Sequence, residues 1–121
     1  MTKHILLVDD FLIANEIVKN ELIKAGFAVV ITVDPKKVLK ILESQTIDLI
    51  VTDYNMPQMN GIELLKAVRA IPAYHTLPII ILSGVRNDII KQHAFDEKVT
   101  AWINKPFTSD KVIHIIKTLL D

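Results

Sequence analysis

The sequence predicts an α/β protein in which five parallel strands form one sheet with helices on both of its faces. Five short apolar runs recur at fairly even spacing along the 121 residues, and each is followed by a stretch with helical periodicity. Continuously apolar runs rich in Val and Ile are typical of strands that are covered on both faces, as in a parallel sheet. Five strand–helix units in so short a chain therefore indicate a single doubly wound domain with right-handed crossovers.

The apolar runs define the predicted strands, and the first helix follows from an apolar stripe. The strands are predicted at residues 5–8, 29–31, 49–51, 79–82 and 101–103. The stripe at helical spacing consists of Ile13, Ile17, Val18 and Leu22. We expect this helix to end near Gly26, because glycine is a common residue just past a helix C-terminus.

Start and stop residues place the other four helices. Asp34 and Pro35 have the residue types of an N-cap and a first helical position. A third helix is predicted over residues 61–70, since a proline two residues later prevents its continuation. The fourth helix is predicted within residues 87–95, and the fifth begins after Thr108.

The composition excludes several classes of function. Fourteen basic and fourteen acidic residues cancel, which disfavours nucleic-acid binding through bulk charge. The chain has no cysteine, so disulfides, thiolate metal sites and a cysteine nucleophile are excluded. No apolar run approaches the ~20 residues that a membrane span needs, and the N-terminus has no signal-peptide core. We therefore expect one domain over residues 1–121 that is cytoplasmic and contacts neither nucleic acid nor a membrane.

Polar residues follow the ends of the predicted strands, which is where open parallel sheets bind ligands. Asp9 and Asp10 follow the first strand, and Asp53 follows the third. Ser83 comes after the fourth strand and Lys105 after the fifth. Each of these residues alone fits an ordinary turn, as Asp53 would at the start of an Asx-turn. Three carboxylates, one hydroxyl and one ammonium at a single edge of the sheet together indicate a functional site.

The acidic residues of this edge need a cation beside them. Two carboxylates ~4 Å apart repel by about 4 kcal/mol at an effective dielectric constant of about 20. Such a cluster persists only if a cation neutralises it or if one carboxyl stays protonated. Lys105 supplies one positive charge, and oxygen-only ligation suits Mg²⁺ as a second cation. The four histidines are not expected to be ligands, since they fall elsewhere in the sequence pattern: His4, His75, His93 and His114.

The same residue types are those required for phosphoryl transfer to a carboxylate. The carboxylate attacks in line, a metal ion and a lysine hold the equatorial oxygens, and a hydroxyl donates to one of them. No general base is needed, because the carboxylate is already deprotonated.

The ordered set of motifs resembles the receiver domains of two-component response regulators, and in particular the single-domain chemotaxis regulators of the CheY type. The similarity runs along the whole chain. Besides the polar residues above, it includes Met56-Pro57 and Gly61 after the third strand and Pro106-Phe107 after the fifth. The resemblance implies a flavodoxin-like sheet with strand order 2-1-3-4-5 and a cis peptide bond before Pro106.

The resemblance also implies the function of the site. Asp53 would accept a phosphoryl group from a sensor histidine kinase or a histidine phosphotransfer protein. Ser83 and Lys105 would bind the phosphoryl oxygens. Such a protein catalyses only its own phosphoryl transfer and dephosphorylation, so we expect no enzymatic activity on other molecules.

Magnesium is the cofactor that the resemblance implies. Asp10 and Asp53 would ligate Mg²⁺ through their carboxylates. The backbone carbonyl of Asn55 would complete the protein ligands, and Asp9 would act largely through water.

A switch and an output surface are implied as well. Ser83 would follow the phosphoryl group and shift the loop after the fourth strand. Trp102 stands where the family usually has Tyr or Phe, a ring that turns inward on activation. Because an indole is larger, the sequence leaves open both a switching role and a fixed anchor. The downstream partner would bind the face of the fourth helix, fifth strand and fifth helix of a monomer or weak dimer. Candidate polar contacts on that face are Lys91, Lys98, Lys111 and Lys117.

Three other functions compete with the phosphorylation switch. A receiver-like scaffold that is never phosphorylated would have no need of Asp53 and Lys105. A hydrolase of the haloacid dehalogenase type also uses an aspartate nucleophile with Mg²⁺, but this chain has Asn55 where the second acid would stand. A flavodoxin-like nucleotide-binding protein would need a glycine cluster around the phosphates, which the three glycines do not form.

Overall fold

The structure is a computed structural model that describes residues 2–8 and 12–120, with the backbone alone for residues 12–15. Within these residues, five strands form one sheet: β1 (His4–Val8), β2 (Ala28–Thr32), β3 (Leu49–Asp53), β4 (Ile79–Ser83) and β5 (Ala101–Asn104). The strand order is β2-β1-β3-β4-β5, and every neighbouring pair is parallel. The predicted fold class and strand order are therefore confirmed.

Five α-helices in the described part of the chain accompany the strands: α1 (Leu12–Lys24), α2 (Val38–Ser44), α3 (Gly61–Arg69), α4 (Asp88–Asp96) and α5 (Ser109–Leu120). A 3₁₀ turn at Pro35–Lys37 precedes α2, and another at Pro72–Tyr74 follows α3. Asp34 caps the first of these turns, because its Oδ1 accepts from the Lys36 backbone N–H at 2.9 Å. No helix among these residues is long and apolar enough to span a bilayer.

The sheet buries apolar side chains on both faces, which explains the continuously apolar strands. Side chains alternate along a strand, so Leu6 and Val8 join one core cluster while Ile5 and Leu7 join the other. The first cluster lies under α2, α3 and α4, and the second lies under α1 and α5. Every residue of β3 and β4 is buried. The two central strands therefore fix the positions of whatever follows their carboxyl ends.

One residue of the predicted stripe on α1 does not face the core. Val18 and Leu22 are buried, whereas Ile17 is 57% exposed. Successive helical residues differ in direction by about 100°, so Ile17 lies beside the buried stripe and not within it. Ile13, the other member, has a side chain outside the described residues.

The start of α3 is fixed by a reciprocal capping box. Asn60 Oδ1 accepts from the Glu63 backbone N–H at 2.8 Å, and Glu63 Oε1 accepts from the Asn60 backbone N–H at 3.1 Å. An Asn followed three residues later by Glu is a known signal for a helix N-terminus. It sets Gly61 as the first residue of the helix.

The guanidinium of Arg69 connects α3 to two backbone segments, the one before β4 and the turn before β5, at the amino ends of these strands. Its Nη1 donates to the carbonyls of Tyr74 and Leu77, both at 2.7 Å. Its Nη2 and Nε donate to the carbonyl of Lys98 at 2.9 and 3.2 Å. Lys98 has a left-handed backbone, with φ of 72°, in the turn between α4 and β5. Burial lowers the pKa of the Arg69 side chain, but an arginine in a protein remains charged at neutral pH.

Replacing Arg69 by Lys should destabilise the protein. A lysine ammonium cannot reproduce the planar fork of donors that serves three carbonyls at once. Since a hydrogen bond to a charged group contributes about 1.5–3 kcal/mol, we expect R69K to lower the free energy of unfolding in urea by about 2 kcal/mol. The reverse exchange at exposed Lys66, K66R on the same helix, is the control and should change it by less than about 0.5 kcal/mol. Equal stability of both variants would contradict the role given to the fork.

Candidate functional site

Asp53 is the last residue of β3 and lies at the carboxyl edge of the sheet. The residue is 3% exposed. Its Oδ1 accepts two hydrogen bonds, from the Tyr54 backbone N–H at 3.0 Å and from Lys105 Nζ at 2.7 Å. A buried carboxylate requires such partners, because an unpaired charge in the interior is strongly unfavourable. The site therefore holds a carboxylate that is buried and paired with a cation.

The Lys105 ammonium reaches this carboxylate from beyond the end of β5, across the intervening strand β4. The Lys105 side chain is 38% exposed, so the pair joins the interior to the surface. Its backbone is held on both sides, because its N–H donates to the Ser83 carbonyl at 2.7 Å and its own carbonyl accepts from Arg86 Nη2 at 3.0 Å. The peptide bond between Lys105 and Pro106 is cis, as the resemblance implied. These contacts fix the start of the lysine side chain.

Ser83 ends β4, next to the strand that carries Asp53, but its hydroxyl makes no hydrogen bond to the Asp53 carboxylate or to the Lys105 ammonium in the described structure. It is fully buried, and its Oγ accepts from the Val85 backbone N–H at 2.9 Å. Leu82 is the register partner of Asp53. Since side chains alternate along a strand, Ser83 begins on the opposite face from Asp53. The structure thus places the hydroxyl at the correct edge but turned toward its own loop.

Gly61, the first residue of α3, lies against the backbone of Asp53 and Tyr54. Its backbone N–H donates to the Tyr54 carbonyl at 2.8 Å. A Cβ atom at position 61 would lie 3.0 Å from the Asp53 backbone oxygen and 3.1 Å from the Tyr54 Cα. The start of α3 therefore packs directly on the backbone that carries the carboxylate, and only glycine allows that approach without displacement.

Trp102 on β5 contacts Tyr54, the residue that follows Asp53. The tryptophan is 8% exposed, and its ring centroid is 5.7 Å from that of Tyr54 with the planes tilted by 53°. Its Nε1 donates to Asn104 Oδ1 at 3.1 Å. The contact with Asn104 was not expected from the sequence, because it depends on where both side chains point at the end of β5.

The predicted ligands Asp9 and Asp10 lie outside the described residues, so their roles stay predictions. The described strand β1 ends at Val8, whose register partner is Thr52, the residue before Asp53. The chain therefore leaves β1 at the same edge of the sheet as the buried carboxylate.

The described oxygen donors near this edge fit a hard divalent cation. Asp53 offers a carboxylate, and Asn55, an exposed residue two positions further along the chain, offers a backbone carbonyl. Oxygen ligands of this kind are the ones that Mg²⁺ takes in proteins. The histidines lie elsewhere, at the start of β1, after the 3₁₀ turn that follows α3, and on α4 and α5: His4, His75, His93 and His114. Met56 and Met59 pack against the first core cluster.

Comparisons with known proteins agree with this geometry. A family model described as the response regulator receiver domain matches residues 5–117. The chain is 37% identical over 120 residues to the chemotaxis protein CheY of Pseudomonas aeruginosa, covering 97% of this chain and 95% of that protein. It is 40% identical over 108 residues to CheY-3 of Vibrio cholerae, covering 87% and 82% of the two chains. The solved structure of the Vibrio cholerae chemotaxis response regulator CheY4 has a TM-score of 0.91 at 30% identity, covering 99% of this chain and 100% of that one. The resemblance seen in the sequence is confirmed.

Gly61→Ala should weaken the fold around the site. The added methyl group would press on the backbone of Asp53 and Tyr54, which no rotation of a side chain relieves. Overpacking costs about 1–3 kcal/mol, whereas alanine gains at most about 1 kcal/mol over glycine in a helix. We therefore expect the free energy of unfolding in urea to fall by about 1 kcal/mol.

Gly84→Ala is the matched control, because a Cβ atom there meets nothing within 4 Å. Its free energy of unfolding should stay within about 0.5 kcal/mol of the parent. A Gly61→Ala protein as stable as the Gly84→Ala protein would refute the proposed close approach.

Proposed function

We propose that this chain, which belongs to the response regulator receiver family of two-component signalling, is switched by a phosphoryl group that Asp53 accepts. The support for this proposal is the buried Asp53 carboxylate with the Lys105 ammonium 2.7 Å from its Oδ1. In that contact a carboxylate and a cation lie together at the edge of the sheet where open parallel sheets bind ligands, which supports a role for Asp53 as the nucleophile. The expected phosphodonor is a histidine kinase or a histidine phosphotransfer protein.

Asp53 supplies the attacking oxygen. Both hydrogen bonds that the Asp53 carboxylate accepts from the described residues go to Oδ1, so we assign Oδ2 as the nucleophile. A P–O bond forms at this oxygen while the P–N bond of the phosphohistidine breaks, and the electron pair of that bond stays on the imidazole nitrogen. The carboxylate needs no deprotonation, and the step needs positioning and neutralisation of charge.

Lys105 has a role before and after the transfer. Before it, the ammonium fixes Oδ1 and so orients the carboxylate. Once an acyl phosphate has formed, Asp53 has lost its negative charge and the phosphoryl oxygens carry charge instead. The ammonium then follows the charge to those oxygens, while contacts of the Lys105 backbone with Ser83 and Arg86 hold the chain in place.

The charge of the site favours a bound divalent cation. A phosphoryl group brings between one and two negative charges at neutral pH, and Lys105 supplies a single positive charge. We propose that Mg²⁺ is held by Asp53 and the Asn55 carbonyl together with Asp9 and Asp10. When bound, such an ion stabilises the charge on the transferring phosphoryl group.

Ser83 would connect the phosphoryl group to the surface. Its hydroxyl is buried and accepts from Val85 in its own loop. Since the Ser83 side chain begins on the opposite face of the sheet from Asp53, donating to a phosphoryl oxygen on Asp53 requires that loop to rearrange. The same loop carries Arg86, which contacts the Lys105 carbonyl, and it leads into α4. We propose that this movement alters the face formed by α4, β5 and α5, where a downstream partner binds.

The polar contacts proposed for that partner lie around this face. Lys98 follows α4 and is exposed, and Lys91 on α4 is half-buried. Lys111 and Lys117 on α5 are exposed. The exposure of Lys98, Lys111 and Lys117 is compatible with the predicted role.

Incubation with Mg²⁺ and a small phosphodonor should add the mass of one phosphoryl group to the protein. Asp53→Asn should abolish the adduct because the amide is a poor nucleophile, whereas Asp110→Asn, at an exposed position of α5, should leave the yield unchanged. Intact-mass spectrometry measures the adduct, and circular dichroism checks that each variant is folded.

Two outcomes of this experiment would contradict the proposal. Continuous release of phosphate from diverse phosphate esters would indicate a hydrolase. A folded wild-type protein that forms no adduct with any phosphodonor would indicate a scaffold.

A further inference from the structure

Trp102 is the single tryptophan of the chain, and its position is defined by two neighbours. Its ring packs at 5.7 Å against that of Tyr54, the residue after the proposed phosphoacceptor. Its only polar side-chain atom, Nε1, donates to Asn104 Oδ1 at 3.1 Å. The residue is 8% exposed, so the indole is buried and its hydrogen bond is satisfied.

We propose that Asn104 is a positioning residue that holds the Trp102 indole in this buried position before any phosphoryl transfer. When Asp53 is modified, the loop between β4 and α4 moves while the Trp102 ring keeps its position. The first statement concerns the unmodified protein alone, and the second rests on the proposed function.

The backbone of β5 places Asn104 where it can do this. Trp102 and Asn104 are two residues apart on one strand, so their side chains leave the same face. Asn104 is the register partner of Ser83, and the next residue, Lys105, donates to the Ser83 carbonyl. The Asn104 side chain that binds the indole therefore belongs to a segment whose backbone is hydrogen-bonded to the end of β4.

The hydrogen bond from Trp102 Nε1 to Asn104 Oδ1 favours the buried position of the indole. An indole N–H only donates, and a buried donor without a partner is unfavourable. Turning the ring outward would break the bond with Asn104 and expose apolar surface. Removing the acceptor should shift the balance between buried and exposed positions roughly two- to tenfold, the effect of one net hydrogen bond.

An adjacent cavity gives the loop space to move without displacing the ring. It has a volume of about 140 Å³ and is lined by Trp102, Asn104, Lys91 and residues 85–88. Its volume is well below the roughly 300 Å³ at which ligand pockets begin, so it suits rearranged loop side chains better than a ligand. The loop that would move with Ser83 and the ring that Asn104 holds thus line the same cavity.

Acrylamide quenching of Trp102 fluorescence tests the first statement in the free protein. Asn104→Leu removes the acceptor, and the quenching constant should rise roughly twofold or more. Asn104→Asp retains an acceptor oxygen and should behave like the parent. Equal quenching of the Leu variant and the parent would overturn the proposal.

A measurement on the parent protein tests the buried position of the indole even if the Asn104→Leu variant fails to fold. The indole N–H of Trp102 should exchange with solvent more slowly than that of free indole by NMR. Exchange as fast as in free indole would overturn the proposal without any substitution.

Phosphorylation tests the second statement. With the adduct verified by mass in the same samples, the quenching constant of the parent should be unchanged, whereas that of Asn104→Leu should change. A parent protein whose quenching constant changes on modification would show that the ring moves. Failure to form the adduct would contradict the proposed function, and the measurements on the free protein would still decide the role of Asn104.

Discussion

The contact between the Asp53 carboxylate and the Lys105 ammonium sets the requirements for the rest of the structure. The carboxylate is nearly completely buried, and a charge in that position needs a cation within hydrogen-bonding distance. The two residues lie 52 positions apart, at the ends of two strands that are separated by β4. The parallel direction of the strands brings both residues to one edge of the sheet, and the strand order sets the distance between them.

The backbone around this contact is held by hydrogen bonds and by close packing. Hydrogen bonds from Lys105 to the Ser83 carbonyl and from Tyr54 to the Leu82 carbonyl extend the ladder past the ends of the strands. The capped start of α3 packs Gly61 against the Asp53 backbone. The reactive residues are therefore fixed by the sheet. The neighbouring loop, where the Ser83 hydroxyl bonds to the Val85 backbone of its own segment, is the part that is able to rearrange.

Much of the fold and of the candidate site was predictable, because the sequence pattern indicates which strand or helix a residue belongs to. Apolar runs fixed the strands, and the residues after them placed Asp53 and Lys105 at one edge. The pattern does not report side-chain direction, which depends on register and helix phase. That is why the exposure of Ile17, the orientation of Ser83 and the bond between Trp102 and Asn104 emerged only from the structure.

A double-mutant cycle on Asp53 and Lys105 tests the central interaction most directly. The free energies of unfolding of D53N, K105M and the double variant would be measured in urea with a chelator present. Since K105M leaves a buried carboxylate without its cation only when Asp53 is present, the effects should be non-additive by about 1–3 kcal/mol. Lys105 is partly exposed, which keeps the value below that of a fully buried pair. Effects that add to within about 0.3 kcal/mol would contradict the account.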